Sequence, residues 1–226
     1  MPTIEIYSSI ECPFAYASVF RLRRAYPDYA ERVEIAWRAL ALEYVNEGQT
    51  ARPTIRAELE ALRRIEPDLP VQSWMRPDWE WPTTMWPAFE ALACAQGQSA
   101  RAGYAMSWAL RYGFFAESRG ISMRHELLRI AEGIAGEAGL DMARFEEDWD
   151  TGRYKPGVLR ESERGWRGLK VDGSATFVLP GGRQVPNPGL EGLDFDEEAL
   201  RVRSYTPPER DVLEIYRELL EEAAAG

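Results

Sequence analysis

The chain opens on a strict alternation. In Thr3-Ile4-Glu5-Ile6-Tyr7 the apolar positions fall every second residue, which predicts a half-buried strand with Ile4 and Ile6 on one face. The pattern then lengthens to helical spacing from Pro13 to about Tyr26. Pro13 suits a first helical position, where its missing N–H costs nothing, and Pro27 ends the run. Val33, Ile35 and Trp37 share one face of a second strand. Strand, helix, strand in this order predicts a right-handed parallel unit.

From about Glu43 to Gly168 the periodicity is mainly helical. Leu127, Leu128, Ala131, Ile134, Ala135 and Ala138 keep i, i+3, i+4 spacing, and Gly139 follows as a terminating glycine. Prolines and tryptophans between Pro53 and Pro87 break this region into short pieces. Strand character returns at Thr176-Phe177-Val178-Leu179. The turn signal Pro180-Gly181-Gly182 and then Arg183-Gln184-Val185 complete a predicted hairpin. Thr206-Pro207-Pro208-Glu209 has capping-box spacing and predicts the start of a last helix, with Val212, Ile215, Tyr216, Leu219 and Leu220 on its apolar face. One sheet therefore assembles from the two ends, residues 1–43 and 169–226. Residues 44–168 form a helical insertion, giving an α/β fold.

Composition narrows the chemistry. A net charge of −10 argues against nucleic acid and against an anionic membrane surface as partners. No apolar run approaches the roughly 20 residues that span a bilayer. The start Met1-Pro2-Thr3-Ile4-Glu5 lacks a secretory pattern, so a cytoplasmic location is expected. Two cysteines and one histidine are too few for a structural zinc site or a disulfide framework. His125 sits in a helical stretch and reads as a solvated surface residue. Neither GxGxxG nor GxxxxGK[ST] occurs, so the usual nucleotide cradles are missing.

Cys12 is the residue placed for chemistry. A cysteine that leaves a strand and opens a helix meets the N-terminal N–H groups and the helix dipole. Such thiols have pKa values of roughly 3.5–7.5. Glu11 beside it and burial by Phe14 and Tyr16 act in the opposite direction. The plain alternative is a small apolar residue in a packed turn, although cysteine is not a favoured N-cap.

Several segments carry a resemblance. Ser9-Ile10-Glu11-Cys12-Pro13-Phe14-Ala15-Tyr16 is similar to the C-P-W-C-Y active-site turn of the DsbA-like thioredoxin superfamily. Gly113 to Ser122, and Leu128 through Ala138-Gly139-Leu140-Asp141, resemble family segments of the helical insertion. Gly165 to Val178 resembles the family's G-V-x-G-V-P-T-F loop. The resemblance implies a thioredoxin-like fold with a helical insertion domain and a catalytic Cys12. It implies substrate contacts from Pro13, Phe14, Ala15, Ser174, Ala175 and Trp86.

Two departures change what that implies. Ala15 stands where the second cysteine would be, so no dithiol cycle runs within the motif. Ala175 replaces the loop proline that is cis in the family. A cis bond before a non-proline costs about 2.5–4 kcal/mol, so a trans Ser174–Ala175 peptide is expected.

The expected function is thiol–disulfide oxidoreduction through Cys12 alone, by mixed disulfide. The alternatives are a thiol-binding transferase or isomerase, similar in layout to kappa-class glutathione transferases and 2-hydroxychromene-2-carboxylate isomerases, and a non-catalytic binding module. No tightly bound cofactor is expected. Glutathione or another low-molecular-weight thiol, or a thiol-containing substrate, is the expected partner, with a homodimer allowed.

Cys94 reads as a small buried hydrophobe, with a resolving role as the alternative. Trp74, Trp79, Trp81 and Trp86 read as packing of the insertion, or else as an aromatic lid over Cys12 with Arg76 as an anion contact.

Overall fold

A computed structural model describes residues 1–196, 198 and 201–226, with the backbone alone for residue 201. Strand β1 (Thr3–Ser8) lies at the centre of the main sheet, whose order is β2-β1-β3-β4. It pairs parallel with β2 (Glu34–Ala39), from Thr3 opposite Glu34 to Ser8 opposite Ala39. Helix α1 (Pro13–Ala25) makes the crossover, as the pattern of the first forty residues predicts. On its other side β1 pairs antiparallel with β3 (Thr176–Val178), which pairs in turn with β4 (Gln184–Pro186). The predicted hairpin around Gly181-Gly182 is therefore present.

Between β2 and β3 lie the short α2 (Glu43–Asn46), then α3 (Arg52–Ile65), α4 (Trp86–Gln96), α5 (Ala100–Glu117), α6 (Arg124–Ala138), α7 (Met142–Asp150) and α8 (Lys155–Glu163). Gly139 ends α6 with φ 68°, a left-handed conformation that glycine adopts without steric cost. A second, two-stranded sheet joins β5 (Leu193–Asp196) and β6 (Arg201–Tyr205), which the periodicity did not reveal.

The last helix, α9, spans Val212–Ala225 and is capped by Asp211, whose Oδ1 accepts the Leu213 N–H at 3.0 Å. This corrects the expected start at Thr206. The Thr206 N–H donates instead to the Gly192 carbonyl at 2.9 Å, in line with the β5–β6 pairing, and Pro207 disfavours helical backbone at the residue before it.

One apolar core runs through the sheet and the helices. Ile4 and Ile6 of β1, Ile35 and Trp37 of β2, and Val19 and Leu22 of α1 share it with Phe89, Leu92, Met106, Leu110 and Phe114. Tyr7, Leu40, Val171 and Val178 form a smaller cluster, with Trp166 and Leu169 packed against it. Gly165 is required there, because a Cβ would come within 2.7 Å of Leu40 Cδ1 and 2.8 Å of Tyr7 Cδ1. Among the described residues no helix is long and apolar enough to cross a membrane.

A buried ion pair ties these parts together. Arg21 of α1 is almost wholly buried. Its Nε donates to Glu66 at 2.7 Å, just beyond α3, and its Nη1 donates to the Gly189 carbonyl at 3.2 Å. Removing one partner of such a pair leaves an uncompensated buried charge. Arg21→Met is therefore expected to lower the unfolding free energy by about 3–5 kcal/mol. Arg21→Met/Glu66→Leu is expected to recover a large part of that loss, as read by denaturant titration.

Candidate functional site

Cys12 is the N-cap of α1, with extended backbone (φ −78°, ψ 117°), and Pro13 follows in the first turn. Its carbonyl accepts the Tyr16 N–H at 3.0 Å, the first hydrogen bond of the helix. The loop that carries Ser174 and Ala175 lies directly against this turn. Ser174 Oγ accepts the Ser9 N–H at 2.7 Å, and Cys12 Sγ donates to the Ser174 carbonyl at 3.3 Å. The Ala175 carbonyl accepts the Asn187 N–H at 2.7 Å.

The Ser174–Ala175 peptide is cis, not trans as expected. The expectation weighed the local preference of an alanine peptide alone. In the fold the Ser174 hydroxyl, the Ser174 carbonyl and the Ala175 carbonyl each have a tertiary partner.

The sulfur is enclosed. Cys12 is 7% exposed, and burial pushes its thiol up to about 12. The Glu58 charge and, more weakly, Glu11 act in the same direction. The Ala15 N–H and Ser174 favour the thiolate but are outweighed. Of the opposed effects that the sequence leaves open at Cys12, burial is therefore the larger. Near the N-terminus a dipole contributes about 0.3–1 kcal/mol at a surface, and desolvation of a buried charge exceeds that. At neutral pH the resting group is the S–H.

The predicted contact residues divide. Cys12, Ser174 and Ala175 are brought together, with Pro13 beside them by chain continuity. Ala15 is fully buried in the core and presents no surface. Phe14 is half-buried, with its ring edge-to-face on Phe195 of β5 at 6.1 Å. Trp86 opens α4 and packs on Phe89 at 6.1 Å.

The other tryptophans also separate. Trp74 and Trp81 meet edge-to-face at 5.0 Å and both pack on Phe114. Trp79 is 83% exposed. Arg76 is paired with Glu80 at 3.1 Å and Glu126 at 3.0 Å, which counts against the alternative in which it serves as an anion contact. Cys94 is a buried free thiol in α4, raised to about 12 by burial. His125 lies exposed on α6.

Beneath Cys12 is a polar cluster that pattern reading passed over. Glu11 is fully buried. The Ser9 hydroxyl donates to its Oε2, while Oε1 has no partner among the described residues. Burial raises the Glu11 carboxyl to about 7. Arg111 of α5 is equally buried. It donates to Ser8 Oγ at 2.7 Å, to the Ser9 carbonyl at 3.3 Å, and to Ser107 Oγ at 2.8 Å. Burial lowers it to about 10. The signal was available in α5. Arg111 shares an i, i+3, i+4, i+7 stripe with the buried Ser107, Leu110 and Phe114, and a cation in such a stripe needs buried partners.

A parallel β1-α1-β2 unit, a cysteine at the α1 N-cap and the Ser174 loop against its sulfur define a thioredoxin-like protein with added helices. The chain belongs to the DSBA-like thioredoxin domain family, whose model matches residues 3–201. Among solved structures, a provisionally assigned protein disulfide isomerase from Nitrosomonas europaea is similar at TM-score 0.68 and 12% identity, over 98% of this chain and 96% of that one. The cytosolic disulfide reductase DsbM from Pseudomonas aeruginosa is similar at TM-score 0.65 and 17% identity, over 81% and 87% of the two chains, and it has also been solved with GSH. A 2-hydroxychromene-2-carboxylate isomerase is similar at TM-score 0.58 and 14% identity, over 81% and 88%. A comparison with curated proteins finds no match.

The buried Glu11 has a thermodynamic consequence. Its pKa rises from 4.5 to about 7 on folding, so the folded state holds its proton more tightly. The stabilisation is complete below about pH 4.5 and is lost as pH rises through about 7. At 1.36 kcal/mol per pKa unit the span is roughly 3 kcal/mol. Glu11→Gln is expected to remove this slope between those pH values. The variant should be more stable than the parent at about pH 8, as measured by urea unfolding across pH.

Proposed function

We propose that the protein carries out thiol–disulfide exchange through Cys12 alone, with glutathione or a similar small thiol as the co-substrate. The observation that carries this reading is the position of Cys12 Sγ, at the N-cap of α1 and in hydrogen bond with the Ser174 carbonyl. Family membership and the similarity to DsbM, which is known with GSH, support it.

In the proposed step Cys12 first gives up its proton, and the thiolate attacks a disulfide RS–SR. A Cys12–S–S–R bond forms, the RS–SR bond breaks, and the proton leaves on the released RSH. A second thiol R′SH then attacks the mixed disulfide, returning Cys12 S–H and releasing RS–SR′. With Ala15 in the second position, resolution falls to that external thiol. Cys94, in α4, takes no part in this reading. A cytoplasmic setting, rich in small thiols, belongs to the reading, and so does the separation of residues 44–168 as the helical insertion.

One observation favours a second reading. A thiol that stays protonated at neutral pH can turn its S–H from the Ser174 carbonyl to the sulfur of a bound thiol without forming a bond to it. The protein would then be a thiol-binding transferase or isomerase, a layout it shares with the similar isomerase.

Cys12→Ser separates the two. Under the exchange reading, oxidised glutathione gives a mixed disulfide on Cys12 by peptide mass spectrometry. The adduct is lost in Cys12→Ser and kept in Cys94→Ser. If no adduct forms on Cys12, and Cys12→Ser binds glutathione as tightly as the parent by calorimetry, the second reading replaces the first.

The raised thiol pKa sets a further expectation. Reactivity follows the thiolate fraction, so alkylation of Cys12 by iodoacetamide should climb about tenfold per pH unit between about pH 7 and 10, without a plateau. A plateau with its midpoint below about pH 8.5 would contradict the buried thiol described here.

A further inference from the structure

A cavity of about 270 Å³, lined by neither Cys12 nor Ser174, opens between α3, residues 72–81 and the end of α5. Its walls are of two kinds. Trp74, Trp81, Phe114 and Phe115 supply aromatic surface, extended by Ile55 and Leu59. The rings are held by their own packing, Trp81 on Phe114 at 5.3 Å and Phe114 on Phe115 at 4.9 Å, so the apolar surface is preformed.

The rim is basic. Arg52, Arg56 and Arg63 fall at i, i+4 and i+11 on α3, which puts all three along one stripe facing the cavity. Arg52 is committed, since it pairs with Asp78 and stacks over the Trp81 ring at 5.7 Å. Arg56 and Arg63 hold no ion pair among the described residues. Glu60 also lines the rim and leaves it a net positive balance, in a chain of net charge −10.

Unpaired guanidiniums usually turn to solvent, but few surfaces set them over an aromatic slot. Arginine also recognises carboxylates by paired N–H donors. We propose that this cavity binds a small ligand with a planar apolar body and a single carboxylate. The body lies between Trp74, Trp81 and Phe115, and Arg56 and Arg63 hold the anionic end. The volume admits a body of one or two fused rings. The site goes beyond the thiol chemistry proposed for Cys12 and uses none of its residues. The two are nonetheless adjacent, because Phe115 stacks on Tyr16 at 4.8 Å, one helical turn after Cys12.

Calorimetry with 1-naphthoate and its uncharged counterpart 1-naphthalenemethanol tests this on the full chain. Naphthoate is expected to bind at one saturable site, about tenfold more tightly than the alcohol, because charge-assisted hydrogen bonds are lost with the carboxylate. Arg56→Ala/Arg63→Ala should reduce naphthoate affinity about tenfold and leave the alcohol unchanged. Both changes are on the exposed face and leave the core untouched. Ser73→Trp fills the slot from the exposed rim and should weaken both ligands.

Absence of saturable naphthoate binding overturns the proposal, as does parental affinity in the double-arginine variant. Cys12→Ser should bind naphthoate like the parent. If its affinity falls instead, the ligand belongs to the Cys12 site and the separate cavity is refuted, whatever the outcome for thiol exchange.

Discussion

The junction between Ser174 and the turn that leads into α1 is the contact on which the site depends. Two segments 162 to 165 residues apart in sequence exchange two hydrogen bonds there, Ser9 N–H to Ser174 Oγ and Cys12 S–H to the Ser174 carbonyl. Both ends are buried, so neither the Ser9 N–H nor the Ser174 carbonyl has water as an alternative partner. The junction closes the sheet as well, since Ser174 leads within two residues into β3, which pairs with β1. The reactive atom is thus positioned by the closure of the chain as much as by its own helix.

The same closure sets the chemistry of the sulfur. A helix N-terminus favours a thiolate, while burial favours the thiol, and here burial is the larger effect. The groups below Cys12 repeat the conflict. Glu11 is buried without a full set of partners and rises towards neutrality, and Arg111 is buried with four oxygen acceptors around it. A neutral Glu11 spares the interior an unpaired charge, whereas Arg111 stays cationic and needs its serine partners. The floor of the site is therefore polar but tightly constrained, and its charge state is sensitive near neutral pH at Glu11 alone.

The helices between β2 and β3 contribute both support and surface. Their apolar faces join the sheet in one core, and Arg21 links α1 to the residue after α3 and to the Gly189 carbonyl. Trp74 and Trp81, which pattern reading could assign either to packing or to a lid, do the first and also form the wall of a cavity. Their placement follows from Phe114 and Phe115 at the end of α5, which offer the aromatic surface that they cover.

What the sequence determined by itself was local. Alternation at Ile4 and Ile6, helical spacing after Pro13, the Gly181-Gly182 turn and the terminating Gly139 each fix backbone geometry within a few residues, so the elements of the main sheet, α1 and the position of Cys12 at its start were readable. The loss of a second cysteine at Ala15 was readable as well, because composition needs no fold. The tertiary structure decided what depends on distant neighbours. It decided the cis peptide before Ala175, the pairing of β5 with β6 that moved the last helix to Val212, the neutral thiol of Cys12, and the burial of Glu11 with Arg111. Periodicity reports which face of an element is apolar, but a pKa or a peptide isomer answers to whatever packs against it. At Cys12 that packing includes Ser174, 162 residues away.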